Sequence, residues 1–442
     1  MLYRKAEGEL RRWLASGTTP LLVDGAPKVG KTSLIRKVLK ETGTDYVEFR
    51  LSEQPRLERL LLGSHTAEDM LASFRLFTGN PLEDPNTVIF LDDIEEYHSL
   101  AAVFILMIQK GRSRFLFSGC FSETVLRQIA KMAQRDLHIL RLYPMDFEEF
   151  LQIYQFTPEQ KEILFRSFLE KKPVHEALHL RMMHLFHTYL NIGGMPEAVS
   201  VFQETRSLAE TMKVQEAINL HYHSLFHRQN RILKKHYLSE IYDLIPMELD
   251  QHNKRFHFSD IDRGLRFDRN GRNFVCLCDM KLALPVFHIT GLAHPLDEVG
   301  KDSLFKLFLF DVGLLTAQYG METKELLDSD ATNVRNGAIY ENAVAQELTA
   351  HGFRLFYFSN KQHGELDFVT EFRKEVLPIQ VKLGKKYHRH SALIHVQNIS
   401  GGEVAESILF YDKNVRAEKN VTRYPIYMLM FLHANEEAGR NS

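Results

Sequence analysis

The run Gly25-Ala26-Pro27-Lys28-Val29-Gly30-Lys31-Thr32 fits the spacing G-x-x-x-x-G-K-[ST], and Ser33 follows it. Glycines at those two places let backbone N–H groups turn inward around phosphate oxygens, and the amino end of a following helix adds its dipole. The lysine of such a loop, here Lys31, reaches the β- and γ-phosphates, and the hydroxyl of Thr32 ligates Mg²⁺. Residues 25–33 are therefore the expected cradle for ATP with Mg²⁺. A phosphate loop also needs carboxylates at the end of a neighbouring buried strand. Val88-Ile89-Phe90-Leu91 followed by Asp92-Asp93 supplies them. Asp92 is expected in the Mg²⁺ shell through water, and Asp93 is expected to orient the attacking water. Asp93 is one methylene shorter than the usual glutamate, which predicts slow hydrolysis. A third apolar run, Arg114-Phe115-Leu116-Phe117, ends in Ser118, the candidate sensor of the γ-phosphate. Arg135 and Arg141 are candidates for an arginine offered to the next subunit of a homo-oligomer, with surface ion pairs as the competing reading.

These residues need a parallel sheet beneath them. Pro20–Val23, Thr87–Leu91, Arg114–Phe117 and His138–Leu142 are short apolar runs alternating with helical patterns, which predicts an α/β unit over residues 1–155. Leu34, Ile35, Val38 and Leu39 mark one face of the helix after the phosphate loop. From about 158 to 245 the spacing of Leu164, Phe168, Leu185, Phe186 and Leu190 is helical, and a β-like pair, Phe274–Leu277 and Leu284–Ile289, follows. Residues 156–330 are thus expected to form a helical lid that leads into a β-like pair. Helix, strand and turn signals return from Gly337, which predicts a separate α/β domain over 331–442.

The chain has 442 residues, 44% hydrophobic and 25% charged, as in an ordinary globular protein. Its 55 basic and 57 acidic side chains leave no global field to attract nucleic acid or membrane, so such contacts would need a local patch. Three cysteines, Cys120, Cys276 and Cys278, offer neither a disulfide framework nor a pair of metal-binding pairs. Met1-Leu2-Tyr3-Arg4-Lys5 lacks the apolar core of a signal peptide, and no apolar run is long enough to span a bilayer. A cytoplasmic location without a membrane is expected.

Further motifs occur in order: Leu91-Asp92-Asp93-Ile94, Leu142-Tyr143-Pro144-Met145-Asp146-Phe147-Glu148-Glu149-Phe150, Gly193-Gly194-Met195-Pro196-Glu197, Lys306 to Leu315, Tyr340-Glu341-Asn342-Ala343-Val344 and Glu365-Leu366-Asp367-Phe368. With the phosphate loop, this set resembles the prokaryotic AAA-type ATPases that carry a carboxy-terminal DUF4143 domain. The resemblance implies an AAA+-like core, a winged-helix-like middle and a restriction-endonuclease-like α/β carboxy-terminal fold. The chain departs from that pattern at Pro27-Lys28, where Arg-Gln is usual, and at the shortened acid Asp93. It departs again at Ser118-Gly119-Cys120-Phe121, where Thr-Gly-Ser-Ser is usual.

A restriction-endonuclease-like nuclease gathers a glutamate from a helix, an aspartate at a strand end and an acid-x-lysine on the next strand. The acids hold Mg²⁺ and the lysine positions the attacking water. Glu341, Asp367 and Lys382 occur in that order, but Gln380 replaces the middle acid. An active nuclease gated by ATP and a degenerate fold kept as a platform are both open readings. Lys382, Lys385, Lys386 and Arg389, with His388 and His390, could meet double-stranded DNA or form a solvated face. Lys254, Arg255, Arg263, Arg266, Arg269 and Arg272 outnumber Asp260, Asp262 and Asp268. They suit duplex DNA or an interface in which they pair with acids. The leading expectation is an ATP-driven switch or motor coupled to DNA; the alternative is a nucleotide-dependent signalling or assembly protein whose later domains bind protein.

Overall fold

The computed structural model describes residues 2–17, 19–50, 53–64, 66–78, 87–94, 114–133, 137–233, 237–261, 274–296, 300–329, 336–383, 392–393, 395–396, 400, 404 and 406–434. The chain divides into two compact units. One comprises residues 3–143 with 279–281, and the other 1–2, 144–278 and 282–442.

The first unit runs α1 (Ala6–Ser16), β1 (Leu21–Gly25), α2 (Lys31–Thr42), β2 (Tyr46–Arg50), α3 (Pro55–Leu62), α4 (Ala67–Thr78), β3 (Val88–Asp92), β4 (Arg114–Gly119), α5 (Glu123–Ala133) and β5 (His138–Leu142). Its five strands are ordered β2-β3-β4-β1-β5 and every pairing is parallel. All five residues of β1 and of β3 are buried, as continuous apolar strands inside a parallel sheet must be. Leu34, Ile35, Val38 and Leu39 are buried on α2, the face its periodicity predicts. Gly43 then stops the helix in a left-handed turn. The parallel arrangement brings the carboxyl ends of β1, β3 and β4 to one edge, which is where such sheets place ligands.

The second unit opens with helices α6 (Phe147–Leu151), α7 (Pro158–Glu170), α8 (Glu176–Ile192), α9 (Pro196–Thr205), α10 (Leu208–Leu233) and α11 (Leu238–Asp250). Strands β6 (Ala283–Ile289) and β7 (Gly300–Leu309) follow, then α12 (Val312–Tyr319), α13 (Met321–Asp328) and α14 (Asn336–Ala350). The chain finishes in β8 (Phe356–Asn360), β9 (Gly364–Phe372), β10 (Glu375–Val381), β11 (Ser407–Tyr411), β12 (Arg416–Glu418) and β13 (Val421–Pro425). The mixed sheet has the order β12-β13-β11-β10-β9-β8-β6-β7. Of the two segments expected as a β-like pair, Leu284–Ile289 lies in β6, which is hydrogen-bonded into the carboxy-terminal sheet parallel to β8, and no unit boundary falls near residue 330.

One strand reading is corrected. Residues 274–279 are helical, and the partner of β6 is β7. Phe274 and Leu277 are buried three residues apart while Val275 is exposed, a helical rather than an alternating pattern. Among the described residues, no helix is long and apolar enough to cross a membrane.

Candidate functional site

Two features of the backbone shape the phosphate loop. Lys28 and Gly30 adopt positive φ, 68° and 92°, the alternation that turns successive N–H groups to one side. A Cβ at Gly25 would lie 2.3 Å from the carbonyl oxygen of Leu142, so only glycine fits between β1 and β5. Lys31 is buried, and its Nζ donates to the carbonyl oxygens of Gly25 at 2.9 Å and Ala26 at 3.1 Å. Thr32 and Ser33 lie in the first turn of α2, while Ala26, Pro27 and Val29 complete the loop.

Asp92 ends β3 with no exposed surface. The hydroxyl of Thr32, 60 residues away in sequence, donates to its carboxylate at 2.8 and 2.9 Å. The hydroxyl of Ser118 donates to the same carboxylate. Asp93 follows in a left-handed conformation, φ 54°, and its N–H reaches the Ser118 oxygen at 3.4 Å. Thr32, Asp92, Asp93 and Ser118 thus converge, and Ser118 is directed at Asp92. Arg141 instead makes an exposed ion pair with Glu123 at 2.7 Å; Arg135 lies outside the described residues.

Arg50, which the sequence reading passed over, completes the edge. Register sets it opposite Asp92, and its Nη2 and Nε donate to Asp92 at 2.8 and 3.2 Å. Its Nη1 donates to Glu53 at 2.7 Å. These bonds to Asp92 and Glu53 raise the guanidinium well above its ordinary value. The fully buried Asp24, one residue before Gly25, accepts from the N–H of Phe121 and pairs with Lys281, both at 3.0 Å. The donor set fits Mg²⁺ with a nucleotide: a loop with inward-turned backbone N–H groups, a lysine held by neutral carbonyls, and a hydroxyl and carboxylate in contact.

The carboxy-terminal residues also converge, because α14 packs against β6, β7 and β10. Glu341 lies on α14, Asp367 on β9, and Gln380 near the end of β10 beside Lys382. Each acid already has a cation. Lys254 pairs with Glu341, Lys382 with Asp367 at 3.2 Å, and Lys306 with Glu365 at 2.5 Å. Gln380 donates to the carbonyl of Glu365 at 3.0 Å, and its own Oε1 is buried without a hydrogen-bond partner among the described residues.

Lys306 is the residue missing from the expected set. It is fully buried on β7, and burial pulls its ammonium down. Glu365, Glu341 and Asp367 outweigh burial and raise it to about 12. Burial likewise opposes the charge of Asp367, yet Lys382, Lys306 and Lys254 hold it below the usual carboxylate range. Lys254, Lys306 and Lys382 balance Glu341, Glu365 and Asp367, so a divalent cation does not fit the cluster without displacing an ammonium. Lys254 pairs with an acid, the second of the two readings for the middle basic residues. Arg263, Arg266, Arg269, Arg272, Lys385, Lys386, His388, Arg389 and His390 lie outside the described residues.

Other ordered motifs fasten the second unit to itself. The N–H of Gly194 donates to Asp311, 117 residues later, at 2.6 Å. A Cβ at Gly193, where φ is 72°, would lie 2.3 Å from an Asp311 oxygen. Asn342 exchanges two hydrogen bonds with Leu309 at 2.8 and 2.9 Å, and Gln346 accepts from the N–H of Val312 at 2.7 Å. Together these residues close one polar seam beside the sheet.

A family model described as an AAA domain matches residues 17–151. Models of two domains of unknown function, DUF8612 and DUF4143, match residues 183–325 and 336–429. No curated protein matches the chain. The phosphate loop and its sheet lie within the first of these domains and the carboxylate cluster's α14, β9 and β10 within the last, so the chain is an AAA-type P-loop protein with a carboxy-terminal DUF4143 domain.

Proposed function

We propose that the first unit binds ATP with Mg²⁺ and hydrolyses it. The observation that carries this reading is the contact of Thr32 with Asp92 at 2.8 Å beside a lysine that, among the described residues, donates only to backbone carbonyls. Lys31 would leave those carbonyls for the β- and γ-phosphates. Thr32 would hold Mg²⁺ directly and Asp92 through water, and the ion would supply charge neutralisation at the transferred phosphoryl group. Asp93 would orient the attacking water. Ser118 and Arg50 position Asp92.

In this reading the carboxy-terminal cluster is a platform and not a nuclease, because its acids are already neutralised by lysines. Coupling of the ATPase to duplex DNA rests on basic residues between 263 and 272 and between 385 and 390. Lys254 and Lys382 are engaged with acids of the chain itself, so those two residues do not support the DNA reading. An ATPase assay with and without duplex DNA over a salt series separates the alternatives, since only phosphate contacts give a steep salt slope.

Lys31→Ala tests the core of the proposal. Loss of the ammonium is expected to weaken ATP binding about 100-fold or more, on the scale of a charge-assisted phosphate contact. Thermal unfolding without nucleotide should stay close to that of the parent chain. Undiminished turnover in this variant would remove the P-loop from the mechanism.

A further inference from the structure

The end of α11 and the loop after it bring together three ligand-type side chains that neither the nucleotide site nor the lysine-filled cluster uses. Glu248 lies in the last turn of α11 and is 1% exposed. His257 and Asp260 are exposed, Asp260 in the short 3-10 turn Phe258–Asp260. One ligand atom from each lies within 4.8 Å of the other two. His257 Nδ1 stands 3.0 Å from Glu248 Oε2. The second oxygen of that carboxylate, Oε1, is buried and has no hydrogen-bond partner among the described residues.

A buried carboxylate oxygen without a donor is costly, and buried polar atoms as a rule find a partner. An imidazolium paired with Glu248 Oε2 would leave the cost at Oε1 in place, whereas a cation between the three groups removes it. The surroundings are fixed independently of any ion. The hydroxyl of Tyr319 donates to Pro246 O at 2.8 Å and to Asp250 at 3.0 Å, and the N–H of Phe256 donates to Phe305 O at 3.0 Å. Both ends of the loop are thereby tied down.

We propose that Glu248, His257 and Asp260 form a binding site for a first-row divalent metal ion, Zn²⁺ by preference. One imidazole nitrogen with two carboxylate oxygens suits Zn²⁺ better than Mg²⁺, which favours all-oxygen shells. Three protein ligands leave a position for water, and the exposure of His257 and Asp260 gives the ion a path from solvent.

The test uses the full chain, stripped with chelator and free of nucleotide, titrated with Zn²⁺ by calorimetry. One equivalent is expected to bind. His257→Ala and Asp260→Asn, both at exposed positions, should each weaken it at least about 10-fold. Asp92→Asn and the double variant Cys276→Ser, Cys278→Ser should bind as the parent does. Absence of saturable Zn²⁺ binding, binding indifferent to His257→Ala, or loss of binding in the cysteine variant would each overturn the assignment.

Discussion

Two lysines at two strand-edge sites are held in opposite ways. Lys31 donates to neutral carbonyls of its own loop, while Lys306 lies among Glu365, Glu341 and Asp367. Both are buried, and both belong to motifs read from the sequence. An ammonium on backbone carbonyls keeps its charge uncompensated and exchanges those acceptors for phosphate oxygens at little cost. An ammonium bound by carboxylates has already spent its charge, and freeing it would strand an acid in the interior. The first arrangement is suited to receiving an anionic ligand and the second to holding a sheet and a helix together. Carboxylates alone do not tell such sites apart, for both have them. What distinguishes the sites is the partner of the lysine.

The comparison breaks most visibly at Lys306. Lys306→Met leaves acids at a buried site without their cation and is expected to destabilise the second unit by about 3–5 kcal/mol. Adding Glu365→Gln should recover much of that loss, because a buried pair removed together is often nearly neutral. Denaturant unfolding of the single and double variants measures both effects. ATP binding should be retained wherever the chain stays folded. A single variant as stable as the parent would show that the lysine is not holding the acids.

The nucleotide site was legible because its determinants are contiguous. Residues 25–33 are one unbroken segment of sequence, and Asp92-Asp93 follow a run of four apolar residues that marks a buried strand. Arg50 escaped notice because an arginine ending the half-exposed strand β2 looks like a surface residue; only the parallel register puts it opposite Asp92. Lys306 did leave a signal. A lysine within Leu304-Phe305-Lys306-Leu307-Phe308-Leu309 must find an acid if the strand is buried, though the sequence cannot say which one. Lys254 counted as part of a basic patch since its partner, Glu341, is 87 residues away. Leu284–Ile289 was paired with Phe274–Leu277 for a related reason: its true neighbours are β7 and the parallel β8, which begins only at Phe356, and sequence periodicity does not reveal long-range pairing.

A third buried lysine sharpens the contrast. Lys324 on α13 is 1% exposed and donates to the carbonyl of Asn191 and, at 2.8 Å, to the hydroxyl of Thr316. Like Lys31 it has neutral acceptors, but burial dominates and lowers it to about 7, with Asp311 and Glu216 opposing only in part. A lysine of the unfolded chain titrates near 10.4. Between these values the unfolded chain binds the extra proton, so stability rises as the pH rises through that window. From pH 7 to 9 the gain should be about 2 kcal/mol, by linkage from the lowered value. Lys324→Met should flatten the profile. An equal rise in parent and variant would place the titrating group elsewhere.

The smallest effect is expected at Gln380, where the two kinds of site can be brought closer together. Among the described residues the cluster around Gln380 matches Lys254, Lys306 and Lys382 against Glu341, Glu365 and Asp367, and Gln380 Oε1 is an acceptor without a donor. Gln380→Glu adds a carboxylate for which none of these lysines is left over. The surplus charge should give Mg²⁺ a reason to bind where the parent chain has none, since hard cations follow the number of carboxylate ligands. With a dissociation constant near 1–2 mM, roughly 10 mM Mg²⁺ would stabilise the variant by about 1 kcal/mol. Thermal unfolding with and without Mg²⁺, in the absence of nucleotide, measures this as a difference from the parent. Neither protein should nick DNA, because Lys306 still fills the cluster. A parent chain that gains as much as the variant from Mg²⁺, or that cuts DNA and loses cutting on Asp367→Ala, would mean that the lysines do not replace the metal and that the two sites are of one kind.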